Sequence, residues 1–157
     1  MSIEGEIEIH RPVDEVFDFV ADERNEPRYN PRLRRVQKIT PGPVALGTVF
    51  RAETTTMGRT VAMTIEITAY ERPNLLASHT HLTTMDIQGT LTFESIPAGT
   101  QMGWLWHLEP HGALSLMTPF LTRIGRRQEK VVWDNLKKLL EAQQGVAPRE
   151  GSARSLD

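Results

Sequence analysis

The chain has 157 residues, which suits one domain with a buried core, and it contains no cysteine, which excludes disulfides, thiolate nucleophiles and cysteine-ligated metals. Lys and Arg number 18 against 20 Asp and Glu, so the net charge of −2 leaves no basic footprint for nucleic acid. In residues 1–10, apolar and acidic residues alternate, unlike the apolar run of a signal peptide. No apolar run approaches the ~20 residues of an integral membrane segment, so we expect a cytoplasmic protein.

The first strand and the first helix follow from hydrophobic spacing. Apolar or small residues at 3, 5, 7 and 9 alternate with polar, mostly acidic ones, a pattern that predicts a half-buried strand. Pro12 stands where a helix could begin, and apolar residues follow at helical spacing over 13–20. Two prolines within 25–31 break that helix and allow at most a turn, after which 33–39 is a predicted strand.

The next two strands form a hairpin whose register can be predicted. If Gly58 and Arg59 make a two-residue turn, paired residue numbers sum to 117. Arg51 then lies opposite Glu66, an opposite-charge pair on the outer face. The apolar face of this hairpin contains Phe50, Ala52, Thr54, Thr56, Val61, Met63, Ile65 and Ile67.

The inward face of the strand after Pro73 is ambiguous. One set of side chains is Leu76, Ser78, Thr80 and Leu82, and the other is Leu75, Ala77, His79 and His81. We favour the first set inward, because two imidazoles within an apolar face would need polar partners. A one-residue slip would reverse this assignment.

Two apolar surfaces complete the predicted core. Strands at 85–96 and 101–110 form a hairpin around 97–99, and its apolar face carries two tryptophans: Ile87, Gly89, Leu91, Phe93, Met102, Trp104, Trp106 and Leu108. The only long helix lies within 114–142, and its larger stripe is predicted to face the sheet: Met117, Phe120, Leu121, Ile124, Val131, Val132 and Leu139. One helix about 10 Å wide cannot cover a broad sheet, so the sheet curls around it or leaves a hollow.

Several local motifs then point to a family. They are IHRPVDEVFDFVA at 9–21, PGP at 41–43 with GT at 47–48, ERP at 71–73, AGT at 98–100 and LKKLLE at 136–141. Together they resemble the START-like (SRPBCC) superfamily of polyketide cyclases/dehydrases and lipid-transport proteins over roughly 3–142. The resemblance implies an α+β helix-grip fold: a curved antiparallel sheet of about seven strands around a long C-terminal helix, two short helices after the first strand, and a mostly apolar cavity. We expect one domain over 1–143 and a disordered tail over 144–157.

The predicted cavity lining is apolar with a few hydroxyls, a composition typical of small-molecule pockets. It comprises Phe50, Ala52, Thr54, Met63, Ile65, Ser78, Thr80, Leu91, Trp104, Trp106, Met117, Phe120, Leu121 and Ile124. Gln128 and Asn135 interrupt the helix stripe, and either could bind a ligand or be satisfied by loops and backbone. Tyr29 and Asn30 lie at the expected entrance, where a packed loop tyrosine is an equal alternative.

Binding of a small hydrophobic ligand, lipid-like or polyketide-like, is the favoured function, with no cofactor. The first alternative is a cyclase or dehydratase, which would need an acid or base in the cavity, and the inward set holds none. The second is an interaction module or homodimer, formed through an offset helix stripe of Trp133, Leu136 and Leu140.

Two charged features are interpreted as solvated surfaces. His79 and His81 share a face, but only His107 could be a third ligand, so we expect no metal. Basic residues of the last helix could attract an anionic ligand or a membrane surface, although a solvated face is favoured: Arg123, Arg126, Arg127, Lys130, Lys137 and Lys138.

Overall fold

A computed structural model describes residues 1–56 and 58–143. The predicted tail at 144–157 lies outside the described residues. The strands are β1 Ser2–Ile9, β2 Leu33–Lys38, β3 Val49–Thr56, β4 Arg59–Glu71, β5 Leu75–Leu82, β6 Met85–Ile96 and β7 Gly99–Pro110. The helices are α1 Val13–Ala21 and α2 Thr118–Ala142, with 3₁₀ helices at Glu23–Arg28 and Gly112–Met117.

The seven strands form one antiparallel sheet in the order β1-β7-β6-β5-β4-β3-β2. The second half of α2 is tied to the β1 edge, where Lys137 Nζ donates to the Glu8 carbonyl at 2.6 Å. The backbone N–H of His10 donates to Glu141 Oε1 at 3.0 Å. A curved sheet around a long C-terminal helix, with two short helices after β1, confirms the helix-grip prediction.

Helix α1 closes the core at one end of the sheet. Its apolar spacing buries Val16, Phe17 and Val20, each no more than 3% exposed. The Phe17 ring meets Tyr70 and Phe93 edge-on, with centroids 5.2 Å away in both pairs. Burying a side chain of this size contributes about 1.5–3 kcal/mol, so α1 is held mainly by its packing face.

The β3–β4 hairpin has the predicted faces but a different register. Phe50 lies opposite Ile65, and Thr56 pairs with Arg59, so the chain turns one residue earlier than predicted. Gly58, with φ +73°, immediately precedes β4 and supplies the left-handed conformation. Arg51 therefore lies opposite Thr64, and the predicted Arg51–Glu66 pair is wrong. A shift of two residues keeps every side chain on its face, because strand side chains alternate with period two.

Strand β5 has the inward face that was favoured. Leu76, Thr80 and Leu82 are buried, whereas His79 and His81 lie on the outer face. Both imidazoles are beside the carboxylate of Asp86 on β6, at 3.3 Å for His79 Nε2 and 2.7 Å for His81 Nδ1. The histidines therefore find their polar partner outside the cavity.

The two stripes of α2 are exchanged relative to the prediction. Trp133, Leu136 and Leu140 are no more than 5% exposed, so the surface proposed for a partner or homodimer is part of this chain's own core. Of the larger stripe, Met117, Phe120, Ile124 and Val131 are exposed, Leu121 and Leu139 are half-buried, and only Val132 is buried. In the part of the chain described, no helix is long and apolar enough to cross a membrane.

Candidate functional site

The 3₁₀ helix after α1 presents two carboxylates on one side. Asp22 starts it by accepting from the Arg24 backbone N–H at 3.1 Å. Glu23 and Glu26 are three residues apart, and a 3₁₀ helix has about three residues per turn, so they lie one above the other. Both line a cavity beneath α2. Asn30 Nδ2 donates to Glu26 Oε1 at 2.7 Å and fixes that carboxylate.

Two glycines let the tryptophans of β7 lie flat across the sheet. Gly5 on β1 is opposite Trp104, and Gly89 on β6 is opposite Trp106. A Cβ atom at either glycine would overlap the indole ring, so only glycine permits this approach. The indoles therefore occupy much of the space that an uncovered sheet would leave. Trp133 of α2 packs on both, with centroids at 5.7 Å from Trp104 and 6.5 Å from Trp106.

What remains between sheet and helix is a small cavity of about 60 Å³. Its walls combine aliphatic and aromatic side chains with three carboxylates, and they come from both helices, the 3₁₀ segment and strands β5–β7. The lining is Val20, Glu23, Glu26, Tyr29, Leu76, Ser78, Leu91, Trp106, Glu129, Val132 and Trp133. It is therefore acidic as well as apolar, unlike the neutral lining predicted from the sequence.

Burial raises the pKa of two carboxyl groups in this cavity. The pKa of Glu23 lies well above its ordinary value because of burial first, then repulsion by Glu26 and a hydrogen bond between the two side chains. Burial also raises the pKa of Glu129, and the hydrogen bond from Trp106 Nε1, 2.8 Å long, opposes that shift. Glu23 is thus favoured as an acid, while Glu129 has a donor that stabilises its anion.

Tyr29 completes the wall of the cavity. Its side chain is 3% exposed, and burial followed by the charges of Glu26 and Glu23 raises the pKa of its phenol. The Tyr29 backbone carbonyl accepts from Asn135 Nδ2 at 3.1 Å, which joins the loop to α2. Tyr29 is therefore a buried lining residue, and Asn135 is satisfied by backbone, one of the two alternatives for that residue.

One indole N–H in the cavity wall has no acceptor. Trp133 is 5% exposed, and its Nε1 atom makes no hydrogen bond within the described residues. Its N–H helps to lower the pKa of Glu129 without reaching hydrogen-bond geometry. Leaving such a donor unpaired costs about 1–3 kcal/mol, so a ligand oxygen in the cavity would be stabilising.

The predicted lining residues divide into three groups. Ser78, Leu91 and Trp106 line the cavity together with Tyr29. Others are buried in the core or packed against it away from the cavity, namely Phe50, Ala52, Met63, Ile65, Thr80 and Trp104, while Thr54, Leu121 and Gln128 are half-buried elsewhere. Met117, Phe120 and Ile124 are 39%, 56% and 37% exposed and are not among the residues that line this cavity.

The carboxylates are the residues that sequence reasoning missed. Gln128 was favoured on α2, but the neighbouring Glu129 is the side chain that faces the cavity, because the buried stripe is offset from the larger apolar one. Glu23 and Glu26 fall at the break after α1, where the prolines predicted a loop. The spacing of Glu23 and Glu26, three residues apart, was the available signal in the sequence. It places both side chains on one side only if the segment is a 3₁₀ helix, which the prolines did not predict.

Within residues 1–56 and 58–143, no group of three or more His, Asp or Glu side chains is arranged to hold a metal ion. Comparison with known proteins is more informative. A family model described as polyketide cyclase/dehydrase and lipid transport matches residues 1–141. The chain belongs to this polyketide cyclase/dehydrase and lipid transport family.

Solved structures agree with the family at the level of fold. A START superfamily protein from Mycobacterium smegmatis is 9% identical, with TM-score 0.79, covering 90% of this chain and 98% of that one. The protein TTHA0849 from Thermus thermophilus is 15% identical, with TM-score 0.78 and coverage of 91% and 99%. A conserved protein from Geobacillus kaustophilus is 14% identical, with TM-score 0.74 and coverage of 91% and 97%. No curated protein sequence matches the chain.

Membership of the polyketide cyclase/dehydrase and lipid transport family indicates a domain for hydrophobic small molecules. The space between a sheet and a helix that covers it is a position where a domain can enclose a small molecule. In this member, the acidic cavity under α2 has that position. Its carboxylates and the indole N–H of Trp133 are features of this chain's own residues.

Proposed function

We propose that the protein binds a neutral, mainly apolar molecule, polyketide-like in character, whose oxygen-bearing end enters the cavity under α2. The observation that carries the proposal is the indole N–H of Trp133, a buried donor in the cavity wall that is close enough to Glu129 to lower its pKa but makes no hydrogen bond among the described residues. A carbonyl or hydroxyl oxygen of the ligand would accept from it. The apolar body would rest against Leu76, Leu91 and Tyr29.

The charge of the lining supports a neutral ligand over an anionic one. Glu23, Glu26 and Glu129 surround the cavity, and a carboxylate or phosphate brought among them would meet like charges at low dielectric. A fatty acid is therefore a poorer candidate than a ketone or a phenol. The volume of about 60 Å³ is also well below that of a typical drug-sized site. Only one end of a longer molecule enters unless α2 shifts.

A matched pair of probes tests the proposal by calorimetric titration. 2-Acetylnaphthalene and 2-naphthoate share their ring system and differ in the neutral ketone against the carboxylate. We expect the ketone to bind at least about tenfold more tightly, since one buried like-charge contact costs more than about 1.4 kcal/mol.

Two variants then examine the indole donor. Trp133→Phe keeps an aromatic ring and removes the N–H, so it should weaken ketone binding by about five- to tenfold. Trp104→Phe removes another buried, unpartnered indole N–H that lies outside the cavity lining, and it should change binding less than about twofold. Equal losses in both variants, or equal affinity for ketone and carboxylate, would contradict the proposed site.

Acid–base catalysis is a second candidate, and two carboxyl groups whose pKa values are raised by burial in one cavity favour it. Glu23 tends to keep its proton, while Glu129 accepts a hydrogen bond that favours its anion. Such a pair suits dehydration of a β-hydroxy ketone. Glu129 would take the proton from the carbon beside the carbonyl, and Glu23 would protonate the departing hydroxyl, so that an enone and water form.

Turnover is tested with 4-hydroxy-4-phenylbutan-2-one, whose enone product absorbs in the near ultraviolet. We expect Glu129→Gln to lower the rate by about 100-fold, whereas Glu94→Gln, an exposed carboxylate on the outer face, leaves it unchanged. If the wild-type protein binds the ketone probe and yet forms enone no faster than buffer alone does, that result contradicts catalysis and leaves binding as the function.

A further inference from the structure

The 3₁₀ helix before α2 and the first half of α2 carry exposed apolar residues, here called the outer stripe: Leu116 and Met117 of the 3₁₀ helix, and Phe120, Ile124 and Val131 of α2. Leu116 is 85% exposed, Phe120 56% and Val131 49%. These two consecutive helices therefore expose several large apolar side chains to solvent. A contiguous exposed apolar surface of this kind usually marks an interaction site in a soluble domain.

The outer stripe is not used by the fold. Phe120 and Glu129 are nine residues apart, which at about 100° per residue places them on opposite sides of the helix. Glu129 faces the cavity, and Val132 and Trp133 beside it are buried. The stripe is therefore directed away from the sheet, and its residues could be polar without loss of the core.

Four cations lie beside the outer stripe on the same half of α2. Arg123, Arg126, Arg127 and Lys130 are all exposed. Glu129 is the only acidic residue within 118–131, and it is turned into the cavity. An apolar row flanked by uncompensated cations on a helix surface is the pattern of a peripheral membrane helix.

A second copy of the chain fits this surface less well. A two-fold dimer joins the same patch of both copies, and an antiparallel helix pair brings equivalent flanks together. Arg123 and Arg127 of one copy would then lie on the same side as Arg123 and Arg127 of the other, which brings like charges together. An anionic lipid surface instead accepts the apolar row into its boundary layer while its phosphates neutralise the flanking cations.

We propose that the first half of α2 docks the protein on membranes that contain anionic lipids. The helix lies parallel to the surface, with Leu116, Phe120 and Ile124 inserted among the headgroups. Arg123, Arg127 and Lys130 contact lipid phosphates. The same helix covers the cavity, so docking brings the cavity lid to the bilayer without changing the residues that line it.

Cosedimentation with vesicles tests the proposal on the full chain. We expect binding to phosphatidylcholine vesicles that contain phosphatidylglycerol, little binding to phosphatidylcholine alone, and weaker binding as salt rises. Phe120→Ser should reduce the partition coefficient by about tenfold, because an inserted aromatic ring is lost. Replacing Arg127 by Gln should reduce it by about fivefold.

A matched control uses another exposed apolar residue. Leu105 on β7 is 42% exposed but lies on the sheet, so Leu105→Ser should bind vesicles like the wild type. Equal thermal unfolding midpoints show that the variants are folded. The proposal is overturned by absence of binding to the anionic vesicles, or by equal losses in Phe120→Ser and Leu105→Ser. It is also overturned if mass in solution doubles with concentration and Phe120→Ser abolishes that dimer, because the stripe is then a self-interface.

Discussion

The protein holds carboxylates in two contrasting surroundings on the two faces of its sheet. On the inner side, Glu23, Glu26 and Glu129 face an enclosed cavity, and burial raises the pKa of Glu23 and Glu129. On the outer side, Asp86 accepts from His81 at 2.7 Å and lies 2.8 Å from His111 Nε2. The pKa of Asp86 is lowered, first by the hydrogen bond from His81.

This contrast separates a functional cluster from a surface cluster. The outer carboxylate of Asp86 has hydrogen-bond partners in His81 and His111, as expected of a structural contact at the surface. The inner carboxylates lie close together in an apolar wall, an arrangement that disfavours their charged forms and destabilises the fold at neutral pH. Such unfavourable placement is typical of active and binding sites. It is the physical reason for placing function on the inner face.

The largest effect on the inner cluster should come from Gly89→Ala. A Cβ atom there overlaps the Trp106 ring, so the ring must leave the sheet and its N–H must leave Glu129. We expect the free energy of unfolding to fall by about 3 kcal/mol, measured by chemical denaturation.

Gly103→Ala is the matched control for that variant. Its new Cβ would meet only the hydroxyl of Thr92, at the end of a side chain that can rotate. The control should lose less than about 1 kcal/mol. Similar losses in both variants would show that Trp106 is not held flat against the sheet by Gly89.

An intermediate effect of opposite sign is expected for Glu23→Gln. Because the folded-state pKa is raised, the unfolded chain ionises first, and the wild type loses stability as pH rises from about 4 through the folded pKa. Gln does not titrate, so the variant's Tm should exceed the wild type's by about 3 °C at neutral pH and match it in acid. Glu94→Gln on the outer face should show no such trend.

The smallest effect is expected for Asp86→Asn, and its pH dependence is reversed. A lowered pKa stabilises the fold above the ordinary value of about 4, and this stabilisation is lost as pH falls through the folded pKa. The variant's Tm should therefore be slightly lower at neutral pH and equal to the wild type's in acid. Glu109→Gln, the residue opposite on β7, is the control. A rise in Tm for Asp86→Asn would mean that both clusters are strained and remove the contrast.

Much of the fold could be predicted because local patterns determine it. Alternation in β1, the proline before α1 and the inward set of β5 were all read correctly from side-chain spacing. The register of the β3–β4 hairpin could not be predicted from side-chain spacing, because a two-residue shift leaves the alternation of faces intact. Only the turn geometry around Gly58 decides the register.

The site was only partly predictable. Ser78, Leu91, Trp106 and Tyr29 were identified because strand parity and the expected entrance place them there. The stripes of α2 were exchanged because helical periodicity shows that apolar faces exist but not which one meets the sheet. The stripe predicted to face the sheet has seven apolar residues against three in the offset stripe, so counting apolar residues favoured a face of which only Val132 is buried.

The sequence by itself therefore determined the family, the order of elements and the alternating faces of the strands, since each depends on neighbours along the chain. Only the tertiary structure decided the rotation of α2, the flat tryptophans against Gly5 and Gly89, and the meeting of Glu23 and Glu26 with Glu129. Glu129 follows Glu23 by 106 positions and Glu26 by 103 in the chain. Their proximity, and hence the acidity of the cavity, follows from how distant surfaces pack.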